Sequence, residues 1–396
     1  MDPIKNPYAP GAGSPPPELA GRAQLRDQVR IAIARIRRGN SAKSLLMVGL
    51  RGVGKTVLLD TMRTDAEETG VYTLRIEAPE GRSLPALLAP QLRLALLRLN
   101  RVQAAKVVAE RGLRALASFA RTLKIKYSDI EVGLDLDPQP GLADNGDLES
   151  DLTSLLVEVG GAARKAKTAV VIFIDEIQYL RVDEFAALIS ALHRCAQLKL
   201  PLTVVGAGLP QLRALAGNAK SYAERLFDYP RIGALSIPEA EIALVRPAEQ
   251  EGVVFSMKAL ASIVAKTRGY PYFLQEWGKH SWDVATRSPI TQKDVEIASV
   301  QAIAALDESF FRVRFDRLTP AEKKYLRAMA ERGTGPHRSG DIALTLGKAV
   351  NSMAPLRQSL IAKGMVWSPS HGDTAFTVPL FDEFMRRIMP GDDWKA

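Results

Sequence analysis

A chain of 396 residues with 46% hydrophobic and 24% charged residues has a soluble globular composition and the length for two or three domains. Its 53 Lys and Arg against 44 Asp and Glu leave a formal charge of +9, which suits an anionic partner without naming one. The lone Cys195 excludes an internal disulfide, and the absence of a membrane-length apolar run argues against an integral membrane protein.

The first 17 residues, rich in Pro, Gly and Ser, read as an extended or mobile arm. They lack the apolar centre of a signal peptide, and with one cysteine the expected location is cytoplasmic. Gly21-Arg22 opens a helical pattern through residue 37 and by itself is a helix-entry turn. The stretch 44–60 then reads as an apolar strand, a glycine-rich loop and the start of a helix. Gly49-Leu50-Arg51-Gly52-Val53-Gly54-Lys55-Thr56 fits G-x-x-x-x-G-K-[ST] at every fixed position. Its glycines permit dihedrals closed to other residues, so that successive backbone N–H groups gather around an anion. Lys55 is spaced to reach β- and γ-phosphates and Thr56 to ligate Mg²⁺, while the helix from Val57 adds its positive end. The predicted nucleotide-binding residues here are Gly49, Arg51, Gly52, Val53, Gly54, Lys55, Thr56 and Val57.

Residues 71–78 alternate as a second strand, and 83–126 carry leucines at helical spacing. The latter half of that segment is basic, from Arg93 through Arg111, Arg114 and Arg121 to Lys126. It reads either as a solvated helix face or as a surface for nucleic acid or an acidic partner. Residues 130–137 alternate as a strand or hairpin arm, and 148–165 form an amphipathic helix, so 81–165 is expected as an insert between core strands. The unbroken apolar run 168–174 suits a parallel strand buried on both faces, and it ends in Asp175-Glu176. Paired with the loop upstream, Asp175 is expected to hold Mg²⁺ opposite Thr56 and Glu176 to deprotonate the attacking water. An acid beside the metal-binding Asp favours water as nucleophile, hence hydrolysis. Residues 202–206 make a fourth strand and 231–237 a fifth.

Residues 238–317 read as a helical set and linker. From 318 to 390 the order helix, short helix, helix, hairpin is that of a winged helix. Its third helix would offer Asn351, Ser352, Arg357, Gln358 and Lys363 to duplex DNA, and the wing Ser370 and His371. A winged helix serves equally as a protein-contact module. Four scattered histidines and one cysteine suggest no metal centre.

These motifs resemble the archaeal-type ATPases that lie between the STAND NTPases and the origin-recognition and loader AAA+ proteins. The resemblance implies an α/β P-loop NTPase with a three-layer parallel sheet over 18–237, a helical lid over 238–317 and a C-terminal winged helix. It implies ATP as nucleotide, where the loop alone chooses no base, with Mg²⁺ as cofactor, and a homo-oligomer in the ATP state. In such relatives a Gly-Arg turn like Gly21-Arg22 lies against the adenine, and the lid turn matching Gly269-Tyr270-Pro271 packs near the nucleotide. Arg225, or failing it Arg231, matches the arginine that reaches a neighbouring subunit's γ-phosphate. The polar residue usual at the tip of the fourth strand is replaced here by Gly206-Ala207-Gly208, leaving it lost or moved to Thr203 or Gln211. Two functions follow from the resemblance: a DNA-associated ATPase, or a STAND-type switch whose winged helix contacts protein.

Overall fold

The expected apolar stretches form one parallel sheet in the computed structural model, which describes residues 1–11, 13–78, 81–123 and 140–395. The alternating segment 130–137 lies outside the described residues. The chain divides into two compact units, the first comprising Arg22–Val48 and Lys55–Arg231. Here α1 (Ala23–Arg37) precedes β1 (Ser44–Gly49), which is followed by α2 (Lys55–Glu68) and β2 (Tyr72–Glu77). Three helices come next, α3 (Leu84–Asn100), α4 (Lys106–Thr122) and α5 (Leu148–Lys165), then β3 (Val170–Asp175), α6 (Val182–Gln197) and β4 (Leu202–Gly208). The short α7 (Leu212–Ala219), α8 (Ala223–Leu226), β5 (Phe227–Asp228) and β6 (Arg231–Ile232) complete the series.

The strand order is β2-β3-β4-β1-β5. β1, β3 and β4 are buried along their whole lengths, as their apolar, β-branched runs require when helices cover both faces of a parallel sheet. Leu46 of β1 and Ile174 of β3 both pair with Gly206 of β4. Leu46 and Ile174 therefore stand level, two strand spacings or about 10 Å apart, with Gly49 three residues and Asp175 one residue further along their strands. The insert expected over 81–165 is integral to this unit. Leu88, Leu92, Leu96, Leu116, Phe119 and Leu155 join the same buried cluster as the sheet.

The expected fifth strand shrinks to the two-residue β5 and β6. The reason is local: Ser236, Pro238 and Glu239 make a helix start, with Ser236 N–H donating to the Glu239 carboxylate at 2.9 Å, and the chain turns into helix at Ile237.

The second unit comprises Met1–Gly21, Gly49–Gly54 and Ile232–Ala396. It contains α9 (Ile237–Gln250), α10 (Met257–Thr267), α11 (Pro271–Val284), α12 (Gln292–Ala305) and α13 (Arg312–Asp316). Then follow α14 (Pro320–Glu331), β7 (His337–Arg338), α15 (Ser339–Thr345), α16 (Val350–Ala362), β8 (Val366–Trp367), β9 (Asp373–Phe376) and α17 (Phe381–Ile388). The last three strands pair in the order β7-β9-β8, which gives the helix, short helix, helix, hairpin order expected from 318 onward. Residues of the expected lid and of the C-terminal region share one buried cluster, with Trp277, Trp282, Phe311, Tyr325, Phe381 and Phe384 at its centre.

The N-terminal residues join that cluster and do not form a free arm. Tyr8 is buried with its hydroxyl on the Leu244 carbonyl, Trp282 Nε1 donates to the Asp2 carbonyl at 2.9 Å, and Asn6 donates to Asp283 at 2.8 Å. An aromatic ring able to bury its area and pair its hydroxyl outweighs the freedom of the surrounding Pro and Gly. Among the described residues no helix is long and apolar enough to cross a membrane.

Candidate active site

The loop after β1 takes the backbone that its glycines allow. Gly52 and Gly54 lie at φ +77° and +85°. Gly49 is required by close approach, since a Cβ there would stand 2.2 Å from the Ile232 carbonyl oxygen. Two further residues hold the loop from within its own unit. Tyr272 N–H donates to the Gly52 carbonyl at 3.1 Å, and Arg51 N–H donates to the Thr377 carbonyl at 3.0 Å. Tyr272 stacks on Phe310 with ring centroids 4.7 Å apart, and burial followed by the nearby Glu276 carboxylate pushes its hydroxyl up to about 12. Of the expected pair, Tyr270 caps α11 and Pro271 begins it; the loop contact comes from the next residue, Tyr272, expected only as core.

In the other unit, Lys55 is the first residue of α2 and is buried, with Thr56 and Val57 following it. The Thr56 hydroxyl hydrogen-bonds Asp175 at the end of β3. Burial raises the Asp175 carboxyl above its ordinary value, opposed by that hydrogen bond and by Arg75, and reinforced by the Glu176 charge. Arg75 of β2 is held by Asp60 at 2.7 Å and reaches Asp175 at 3.5 Å, a neighbour that sequence spacing did not reveal. Thr56 and Asp175 fit Mg²⁺: both offer hard oxygen donors, and magnesium takes its remaining ligands from water and phosphate. Among the described residues no cluster of three or more His, Cys, Asp or Glu stands ready to hold a metal alone.

Glu176 has φ +51°, a left-handed conformation that costs a non-glycine residue about 1–2 kcal/mol. Its N–H donates to Asp175 Oδ1 at 2.9 Å, and its carboxylate accepts from the Gln178 amide. Strain at such a point is consistent with a working residue held by its surroundings. Thr203 is excluded from the tip of β4: it lies near the opposite end of the strand, its hydroxyl 2.9 Å from that of Ser44. Gln211 caps α7, and its Oε1 meets no partner among the described residues. Arg225 on α8 and Arg231 on β6 are exposed.

Residues 18–205 match the AAA ATPase domain family. This stretch, just under half of the chain, is similar to AAA ATPase domains. The AAA-type ATPase domain expected from the P-loop and Asp175-Glu176 is thus the family model matched over these residues. Residues 308–385 match a domain of unknown function, DUF8462. No curated protein matches the chain. The Walker-type ATPase PABY2304 of Pyrococcus abyssi is similar in structure, with TM-score 0.57 and 15% identity over 93% of this chain and 96% of that one. At this identity the likeness is one of fold. Aeropyrum pernix ORC1 in complex with DNA aligns with TM-score 0.48 and 16% identity, covering 94% of each chain. The Thermotoga maritima RuvB Holliday junction branch migration motor aligns with TM-score 0.43 and 17% identity over 92% of this chain and 94% of that one.

The expected DNA-reading residues separate into two groups. Asn351, Ser352 and Gln358 are exposed on α16, and His371 is exposed between β8 and β9. Ser370 is exposed, but its hydroxyl is spent on Asp373. Arg357 and Lys363 are internal braces, which corrects their assignment as groove contacts. Arg357 donates to the Thr374 hydroxyl, the Ser368 hydroxyl and the Asp373 carbonyl, each at 2.8 Å. Lys363 meets Glu322 at 2.7 Å. Spacing along a helix places these cations on α16 but cannot show that β9 and α14 hold acceptors within reach.

Burial acts to raise the Glu322 carboxyl, but hydrogen bonds from Lys363, Ser359 and Thr319 outweigh it and bring it down to about 2. Its contribution to stability is therefore present above the ordinary carboxylate value and lost as pH falls toward 2. Lys363→Ala should destabilise the protein by about 1–3 kcal/mol at pH 7, the cost of removing a charged hydrogen-bond donor from a buried carboxylate that keeps only Ser359 and Thr319. Denaturant unfolding at a series of pH values should show this deficit shrinking below about pH 4, where Glu322 protonates in the variant. A deficit of the same size at pH 7 and pH 3 would remove the brace.

Proposed function

We propose that this chain is an ATP-hydrolysing switch in which nucleotide and the C-terminal region compete for the P-loop. The observation that carries the reading is the Arg51 N–H on the Thr377 carbonyl. That N–H belongs to the loop whose amides gather phosphate. A carbonyl is a neutral acceptor and a phosphate oxygen a charged one, so triphosphate wins the N–H and Thr377 is released. Lys55 meets the β- and γ-phosphates, and Thr56 with Asp175 would hold Mg²⁺, which would supply positive charge against the phosphates. Glu176 takes a proton from water as its oxygen bonds to the γ-phosphorus. The bond from that phosphorus to the bridging oxygen breaks, leaving ADP and phosphate. Tyr270 and Pro271 belong to the turn that would sense the nucleotide through Tyr272 and Gly52. Arg225 is the residue offered to the γ-phosphate of a neighbouring copy, so turnover per subunit should rise with protein concentration.

The experiment is amide hydrogen exchange on the full chain with and without Mg²⁺ and a non-hydrolysable ATP analogue. Exchange over residues 366–378 should increase on adding nucleotide. No change there, with nucleotide demonstrably bound, would remove the switch.

A second reading, duplex DNA as partner, is favoured by α4. Arg111, Arg114 and Arg121 recur on one helix face and are exposed, although Arg111 also meets Glu158 at 3.1 Å. Such a row suits phosphates without base readout, while Asn351, Ser352 and Gln358 retain the capacity to read base edges. DNA-stimulated turnover with steep salt dependence would favour this reading, and indifference to DNA the protein-contact switch.

A further inference from the structure

The polar group missing from the tip of β4 has a replacement supplied by the neighbouring strand. Beyond Glu176 the chain makes a single 3₁₀ turn, Ile177–Tyr179, which brings Gln178 back over the end of the sheet. Both ends of its amide are engaged. The nitrogen donates to the Glu176 carboxylate, and Oε1 accepts the Leu209 N–H at 3.0 Å, just past β4. An amide suits this position because one partner only accepts and the other only donates. A glutamate would set carboxylate against carboxylate, and an aliphatic side chain could make neither bond. Gly208 completes the arrangement: a Cβ there would stand 2.6 Å from Gln178 Oε1, so the strand tip is cleared of side chains where this amide lies.

Resting on the hydrolytic reading above, we infer that Gln178 is a positioning residue, holding the Glu176 carboxylate against the end of β4 where it takes the proton from water. Through Leu209 the same bracket ties the base to the segment leading into α7. Movement of that segment would then alter hydrolysis without touching the P-loop.

The test uses the full chain as wild type, Gln178→Ala and Gln178→Glu. Steady-state ATP hydrolysis is measured from pH 6 to 8, together with affinity for a fluorescent ADP analogue and the melting temperature. Gln178→Ala should lower kcat about a hundredfold, the usual effect of displacing a reacting group by about 1 Å, while KM, analogue affinity and melting temperature stay at wild-type values. Gln178→Glu should regain activity relative to wild type as pH falls, because a protonated carboxyl again donates to Glu176. A purely structural glutamine would produce no such acid rescue. Wild-type kcat in Gln178→Ala overturns the inference, as does a parallel loss of rate, affinity and melting temperature. Wild type that binds the analogue without turning over ATP overturns the hydrolytic reading itself, an outcome distinct from either.

Discussion

Glu176→Gln is expected to bind Mg–ATP as wild type does and to hydrolyse it about 10²–10⁴-fold more slowly, the range for removing a positioned general base. The amide keeps an oxygen to accept from Gln178, so the bracket survives while the proton acceptor is lost. The left-handed backbone at position 176 is no harder for Gln than for Glu. Titration calorimetry with Mg–ATP would show unchanged affinity, and single-turnover chemistry with radiolabelled γ-phosphate would show the loss. Wild-type turnover in this variant would take the base away from Glu176. Asp175 would not inherit the role, because it is buried, bonded to Thr56 and reached by Arg75.

Lys55→Ala should weaken ATP binding by about a hundredfold or more, since hydrogen bonds to charged groups contribute about 1.5–3 kcal/mol each and 1.4 kcal/mol is tenfold. Lys55 is buried at the start of α2, and truncation removes a desolvated charge as well as a phosphate contact. The rise in melting temperature on adding Mg–ATP should therefore disappear. Calorimetry and thermal melts decide this together. A variant that keeps ATP-dependent stabilisation would show that the loop amides bind the triphosphate without the lysine.

The parts of the candidate site were legible from residue order because they are local. The P-loop needs glycines at the positions where φ is positive, and Lys55 and Thr56 follow at the helix start whatever the remainder of the chain does. The run before Asp175 reads as a doubly buried strand for an equally local reason, its lack of alternation. Thr291 before α12 and Thr319 before α14 each accept the backbone N–H three residues on, a capping pattern that is equally local.

What only the tertiary structure decided are pairings between distant residues, since a side chain's partner is not encoded by its neighbours in sequence. Arg357 and Lys363 have the composition of a groove-reading helix, yet Thr374, Ser368 and Glu322 take up their donors. Tyr8 sits in a Pro- and Gly-rich stretch that reads as mobile, until the packing of α9 and α11 supplies a site for its ring. For the polar group at the tip of β4, sequence order points only to Thr203 within that strand and Gln211 just past it. The folded chain supplies it from the turn after β3, where adjacency across parallel strands, unlike adjacency along the chain, puts Gln178 beside Gly208. Dihedral demands and hydrophobic periodicity act within a few residues and can be read in one dimension. Hydrogen-bond partners and shared cores depend on which elements pack together, and that is settled only when the sheet order and the two cores have formed.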